Sequence, residues 1–228
     1  KEYNLSFRGG KRRGKLEVVG KVGKQSTGTT IRFWADPKYF DSDKFSVASL
    51  KYVLRAKAVL CPGLRIRFTV EKPKEKLEWQ YDGGLEQYLK DALGDVATLP
   101  EEPYSGSMRG NREEVDWAVL WRLDDTQTVA ESYVNLVPTP QGGTHINGFR
   151  AGLTEALRQY CQFRSLLPRG VRLAPEDVWD SVSFILSVKM EDPQFSGQTK
   201  ERLSSRECAA FVSGVVKDSF VLWLNQHS

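Results

Sequence analysis

Asp192-Pro193-Gln194-Phe195-Ser196-Gly197-Gln198-Thr199-Lys200-Glu201-Arg202-Leu203 is the stretch on which the reading of this chain turns. Before it, Val182, Phe184, Leu186, Val188 and Met190 alternate with a period of two, which predicts a strand with one face in a core. Asp-Pro ends the strand, because proline brings no amide hydrogen to a ladder, and Ser-Gly allows a sharp change of direction. Gln198, Thr199 and Lys200 are therefore expected on a projecting loop. After it, Ser204-Ser205-Arg206-Glu207 has the spacing of a capping box and should open a long helix from Ser204. A lysine at such a tip is a compact, mobile point charge suited to an anion such as a terminal phosphate. By spacing alone, however, an exposed lysine is ordinarily just solvated.

The 228 residues suffice for one large domain or two small ones. A hydrophobic share of 40%, with 11% aromatic residues, is enough to bury a core and argues against disorder. No apolar run approaches the length of a membrane span and no signal-peptide pattern opens the chain, so a soluble protein without a membrane partner is expected. Cys61, Cys161 and Cys208 are odd in number and far apart, and encode neither a disulfide framework nor a zinc site. That suits a reducing cytoplasm. The opening at Lys1, inside an expected element, reads as a piece of something longer. Residues 1–84 carry 19 Lys and Arg against 9 Asp and Glu, whereas residues 85–228 carry 14 against 20. The reversal predicts two units, and leaves open whether the basic one contacts nucleic acid or is simply solvated.

In chain order, Tyr3, Leu5 and Phe7, a basic glycine-rich turn from Arg8 to Gly14, and Leu16, Val18 and Val19 predict a hairpin over 1–24. Gly28-Thr29-Thr30-Ile31-Arg32-Phe33-Trp34 reads as another strand, stopped by Asp36-Pro37. Asp41 or Ser42 should cap a helix from Lys44 that ends at Cys61-Pro62-Gly63. A second hairpin follows from Leu64 to Tyr81, then Gly83-Gly84, where the charge balance reverses. A short helix is expected at Leu85 to Ala92, and a loop from Pro100 to Asn111 with one edge strand around Tyr104. Val115 to Trp121 is a strand; Asp124-Asp125 turns the chain, and Thr128 to Val137 runs back. The paired aspartates are better explained by turn chemistry than by a metal. A helix from Thr144 to Arg164, ended by Pro168-Arg169-Gly170, a short helix at Ala174 to Asp180 and the opening strand complete the reading. His145 has no cysteine or serine partner nearby in sequence and reads as a structural residue at the helix entry. There is no Walker loop, GxGxxG, nucleophile elbow or HExxH.

Two strings carry a resemblance across the whole chain: Ser187 to Leu203 with its continuation to Asp218, and Gln141-Gly-Gly-Thr-His-Ile-Asn-Gly-Phe-Arg150. They resemble the ATP-operated member of bacterial type IIA topoisomerases, the gyrase B family, and look more like its topoisomerase IV branch than its gyrase branch. The resemblance implies an α+β fold. Residues 1–84 would be the C-terminal strands and helix of a gyrase-type (GHKL) ATPase domain, and residues 85–228 a transducer domain with a ribosomal-protein-like sheet-and-helix fold.

The resemblance also implies roles. Lys200, with Gln198 beside it, would reach the γ-phosphate of ATP from the transducer, and Thr29 would bond near the adenine with Ile31 on the pocket wall. Without the resemblance, Thr29 reads equally well as a buried strand threonine. Arg150 would face the central hole through which DNA passes. ATP and magnesium would be the parent's cofactors, neither held firmly by this chain. The partners would be the topoisomerase IV A subunit, DNA and a second copy of the ATP-operated subunit. The ATPase glutamate base, magnesium-binding asparagine, adenine-reading aspartate and lid glycines would lie before Lys1, and the acidic metal-binding domain after Ser228. By itself the chain should neither hydrolyse ATP nor cut DNA. A gyrase B segment, a stand-alone nucleic-acid-binding module and a purely structural interaction domain are the alternative readings.

Overall fold

Gly9 and Gly10 both take positive φ, 56° and 76°, the signature of a two-residue hairpin turn whose twist matches antiparallel strands. They join β1 (Glu2–Arg8) to β2 (Lys11–Gly20). The basic turn expected from Arg8 to Gly14 is thus shorter: Lys11, Arg12 and Arg13 belong to β2, opposite Arg8, Phe7 and Ser6. The computed structural model describes residues 1–124 and 128–227, which divide into two compact units, Lys1–Leu50 and Lys51 onward. Asp125 of the expected Asp124-Asp125 turn lies outside the described residues.

In the first unit the expected strand at 28–34 is absent. Its alternation supplies a strand-like face, but a strand also needs a neighbour for its amides and carbonyls. Among the described residues none pairs with it, and Ile31, Phe33 and Trp34 are 78%, 65% and 79% exposed. The next helix, α1 (Val47–Leu60), starts later than expected. Its first turn is capped by Ser46, whose Oγ accepts the Ser49 amide at 3.2 Å, and not by Asp41 or Ser42.

The second unit holds the expected hairpin, β3 (Ile66–Val70) with β4 (Glu75–Trp79), and a short helix α2 (Gly84–Leu93). Then come β5 (Thr98–Arg109), β6 (Glu113–Arg122), β7 (Ala130–Val134), β8 (Val137–Pro138), α3 (Thr144–Arg164), α4 (Pro175–Trp179), β9 (Val182–Met190) and α5 (Arg206–Gln226). The five last-named strands form one sheet in the order β5-β6-β9-β7-β8, antiparallel except for the β7–β9 pair.

β9 is therefore central. It lies between β6 and the returning β7, and it is covered on both faces, not the single face its alternation suggests. Val182, Phe184, Leu186 and Val188 face a core built with Phe149 and Leu153 of α3 and Val212, Val216 and Phe220 of α5. Ile185, with Ala118 and Leu120 of β6, packs beneath Ala56, Val59 and Leu60 of α1 and Leu89 of α2. Ser183 and Ser187 occupy the tight remaining positions and are also buried.

The edge strand expected around Tyr104 is present but longer than expected, taking up most of the loop expected at 100–111 and running twelve residues. β5 lies at the sheet edge, where prolines are tolerated, and its register shifts between Leu99 and Tyr104, across Pro100 and Pro103. α3 and α5 pack closely because Gly148 and Gly152 present no side chain. A Cβ on Gly148 would lie 2.4 Å from the Ala209 carbonyl oxygen, and one on Gly152 would lie 2.7 Å from that of Ser213. α3 ends at Ser165, ahead of Pro168-Arg169-Gly170. Ser165 takes φ +54°, and the Leu166 amide returns to the Cys161 carbonyl at 2.9 Å, closing the helix without proline.

Candidate functional site

The loop after β9 is a small hairpin with an apolar base and a polar tip. Asp192, at φ +48°, turns the chain out of the sheet. The Ser204 amide donates to the Gln194 carbonyl at 2.8 Å and the Ser196 amide to the Arg202 carbonyl at 2.9 Å, leaving Gly197 to Glu201 as the tip. Leu203 is buried in the main core and Phe195 packs partly against it. Gln198, Thr199 and Lys200 are all exposed, as the Pro and Gly signals predict. The capping box, by contrast, is not formed. Ser205 precedes α5 but its Oγ accepts the Gln194 amide at 2.9 Å, so the hydroxyl holds the loop and not the helix.

Far along the chain, the Gln141 to His145 string closes the other side of this hairpin. Gln141 donates its amide to the Glu201 carbonyl at 3.1 Å and its Nε2 to the Glu201 carboxylate at 2.7 Å. The Leu203 amide donates to the Gly142 carbonyl at 3.0 Å, and Thr144 donates its own to Leu203 at 3.1 Å. Gly143, at φ +132°, allows this contact: an added Cβ would stand 2.2 Å from the Leu203 carbonyl oxygen. The two strings are thus one construction, and Gln141, Gly143 and Glu201 are site-forming residues that sequence reasoning missed. Gly-Gly was a visible signal for close approach; its partner, some 60 residues away, was not.

At the tip, Lys200 takes φ +57°. Its ammonium stands 6.0 Å from the Phe195 ring centroid and, among the described residues, pairs with no carboxylate. A held backbone thus presents a mobile cation that no acidic group neutralises, an arrangement able to receive an anionic group.

The other predicted residues lie elsewhere. Thr29 and Ile31 belong to the first unit and are exposed in an irregular segment, so Thr29 is not the buried strand threonine of the alternative reading. Arg150, on α3, donates from Nη2 to the Glu176 carboxylate at 2.7 Å and lies 5.8 Å from the Trp179 ring centroid. About a third of its side chain, 35%, stays exposed. His145 is fully buried, with Nε2 3.1 Å from Thr139 Oγ1, itself 2.7 Å from Ser132 Oγ. Burial lowers its imidazole pKa to about 4, keeping it neutral at the entry to α3.

The sequence profile of the DNA gyrase B family matches residues 84–228, and the chain belongs to that family. Among its relatives, the B subunit of DNA topoisomerase 4 from Pseudomonas aeruginosa is 60% identical over 227 residues, which is 100% of this chain and 36% of that protein. The chain therefore spans little more than a third of the length of that relative. Two solved structures share the fold at a TM-score of 0.81. The topoisomerase IV ATP binding domain of Francisella tularensis, in complex with a small molecule inhibitor, is 39% identical, with 98% of this chain and 61% of that one covered. The 43K ATPase domain of Thermus thermophilus gyrase B, in complex with an aminocoumarin, is 26% identical, with 99% and 61% covered. The α+β architecture is that of these ATPase regions.

Proposed function

We propose that this chain is part of the ATP-operated subunit of a topoisomerase IV, with residues 1–84 ending a gyrase-type ATPase domain and residues 85–228 forming the transducer. The observation that carries the reading is the unneutralised ammonium of Lys200 on a loop held from both sides. In the complete subunit, Lys200 reaches the γ-phosphate of ATP, with Gln198 beside it, while Thr29 and Ile31 line the adenine end. Positive charge at the transferring phosphoryl oxygens stabilises the transition state, so the loop takes part in hydrolysis and also reports which nucleotide is bound. Losing the γ-phosphate releases the loop. The transducer then moves against the ATPase domain and drives the gate.

Among the described residues no three carboxylate, imidazole or thiolate groups converge as a metal site would require. By the resemblance, and independently of that, magnesium is assigned to residues of the parent outside this chain, and no step here runs through it. By the same reading the general base and lid also lie outside, leaving this chain alone without ATPase or DNA-cleaving activity. Arg150 faces the DNA passage. Shared with Glu176, its guanidinium offers phosphates only a partial attraction, which suits a duplex that must pass and not stay bound. The parent acts in the cytoplasm with the topoisomerase IV A subunit, DNA and a second ATP-operated subunit. No described helix is long and apolar enough to cross a membrane.

The test is decatenation of interlinked DNA circles by the complete ATP-operated subunit reconstituted with its A subunit. Lys200→Ala should lower the ATP-driven rate by roughly 100-fold or more, the scale of one transition-state contact, without loss of fold. Decatenation at the wild-type rate would overturn the reading. The runner-up, a segment of gyrase B, would belong to an enzyme that introduces negative supercoils; the 60% identity to a topoisomerase 4 relative favours decatenation.

A further inference from the structure

The segment that holds the far side of the Lys200 loop also holds its root. Asn135 and Leu136, between β7 and β8, both take positive φ, 49° and 65°. Asparagine tolerates this conformation better than most residues with a side chain, and here it directs its amide group at the last residue of β9. Asn135 Nδ2 donates to the Met190 carbonyl at 2.9 Å, and the Met190 amide donates to Asn135 Oδ1 at 2.9 Å. The Asn135 backbone amide donates to the Val188 carbonyl at 2.8 Å. One residue thus mimics a neighbouring strand where the sheet stops and the loop begins. Leu136 is held from the opposite direction: Lys57 of α1 donates its ammonium to the Leu136 carbonyl, and burial lowers the pKa of that ammonium.

From Leu136 the chain passes through β8 to Gln141 and Gly142, which hold Glu201 and Leu203. Residues 135 to 144 therefore grip the loop at both ends. We propose that Asn135 is a positioning residue for Lys200. Its amide fixes the direction in which the loop leaves β9, and Lys57 ties that turn to α1, connecting the helix that precedes the transducer to the loop that carries the lysine. The inference rests on the reading that Lys200 meets the terminal phosphate of ATP.

The experiment uses the complete ATP-operated subunit and compares wild type, Asn135→Gly, Lys200→Ala and the double variant. Glycine accepts the positive φ without strain, so the turn survives while the clamp on Met190 is lost. Asn135→Gly should lower kcat for ATP about ten-fold with ADP affinity unchanged, since misplacing a positioned group costs rate more than ground-state binding. Amide exchange should speed up across Phe195 to Leu203, and the double variant should be no slower than Lys200→Ala alone. Lys57→Met, which keeps most of the length of the side chain and removes its charge, should shift kcat and loop exchange in the same direction, and it decides the matter if Asn135→Gly does not fold. If Lys200→Ala is inactive while Asn135→Gly, or failing that Lys57→Met, turns over ATP at the wild-type rate, the positioning role is wrong and the reading of Lys200 stands. A parallel fall in kcat and ADP affinity marks a merely structural residue and also overturns the role. Undiminished turnover by Lys200→Ala overturns the reading beneath it.

Discussion

Lys200 holds a left-handed conformation that costs a residue with a side chain roughly 1 kcal/mol. Glycine would take the same φ without that cost but would carry no charge. The positive φ and the unneutralised ammonium fall on the same residue, as the role proposed for Lys200 requires. At this scale the sequence made the tip legible, because Pro193 and Gly197 act locally. It misled at Ser204 to Glu207, where the capping-box spacing is present but the Ser205 hydroxyl serves Gln194 instead. His145 supports a prediction of its own. Its folded pKa, about 4, lies below the ordinary 6.5, so on acidification the unfolded chain takes up a proton first. Stability present above the ordinary value is therefore lost as the pH falls through that window, by about 2 kcal/mol between about pH 7 and pH 4.5. Urea unfolding at the two pH values should show this loss in the wild type and correspondingly less in His145→Gln. Equal losses in both proteins would show that His145 does not titrate as the burial implies.

Among the elements, β9 was readable and its setting was not. The alternation of Val182 to Met190 fixes a strand, but both faces are covered because α1 and α2 lie on one side and α3 and α5 on the other, a consequence of packing between distant segments. β5 was legible only in part: an edge strand around Tyr104 was expected and is there, but Pro100 and Pro103 hid its full length from Thr98 to Arg109, which an edge position makes acceptable. The contact of α3 with α5 gives a paired prediction. Gly148→Ala would drive a methyl into the Ala209 backbone and should destabilise the fold by roughly 2 kcal/mol, within the range of overpacking. Gly214→Ala on α5 meets nothing within 4 Å and should instead stabilise by about 0.5–1 kcal/mol through the unfolded chain. Chemical denaturation midpoints moving in opposite directions would establish that close approach, and not glycine as such, governs this interface; a shared direction would contradict it.

For the whole molecule, the charge reversal at Gly83-Gly84 and the division into compact units at Leu50 describe different things. The first follows surface composition, whereas the second follows burial, with Ala56, Val59 and Leu60 of α1 packed under the sheet. The first unit keeps Tyr3, Phe7, Ile31, Phe33 and Trp34 exposed, and no hydrophobic residue within it is buried. Amide exchange should therefore be fastest across residues 28–34, slower in β1 and β2, and slowest in β9 and the inner face of α3. Strong protection at 28–34 would contradict the irregular structure found there. The proposed assignment of Thr29 and Ile31 to an ATP pocket rests on the resemblance and not on the geometry of this unit, where both are exposed in an irregular segment.

The role of Lys200 is tested by measuring ATP hydrolysis for three proteins side by side: this chain, the complete ATP-operated subunit and that subunit carrying Lys200→Ala, each with ADP binding measured alongside. If the proposed role of Lys200 on the phosphate lost in hydrolysis holds, only the complete wild type turns over ATP, and both complete proteins bind ADP equally. Wild-type turnover by Lys200→Ala would contradict it.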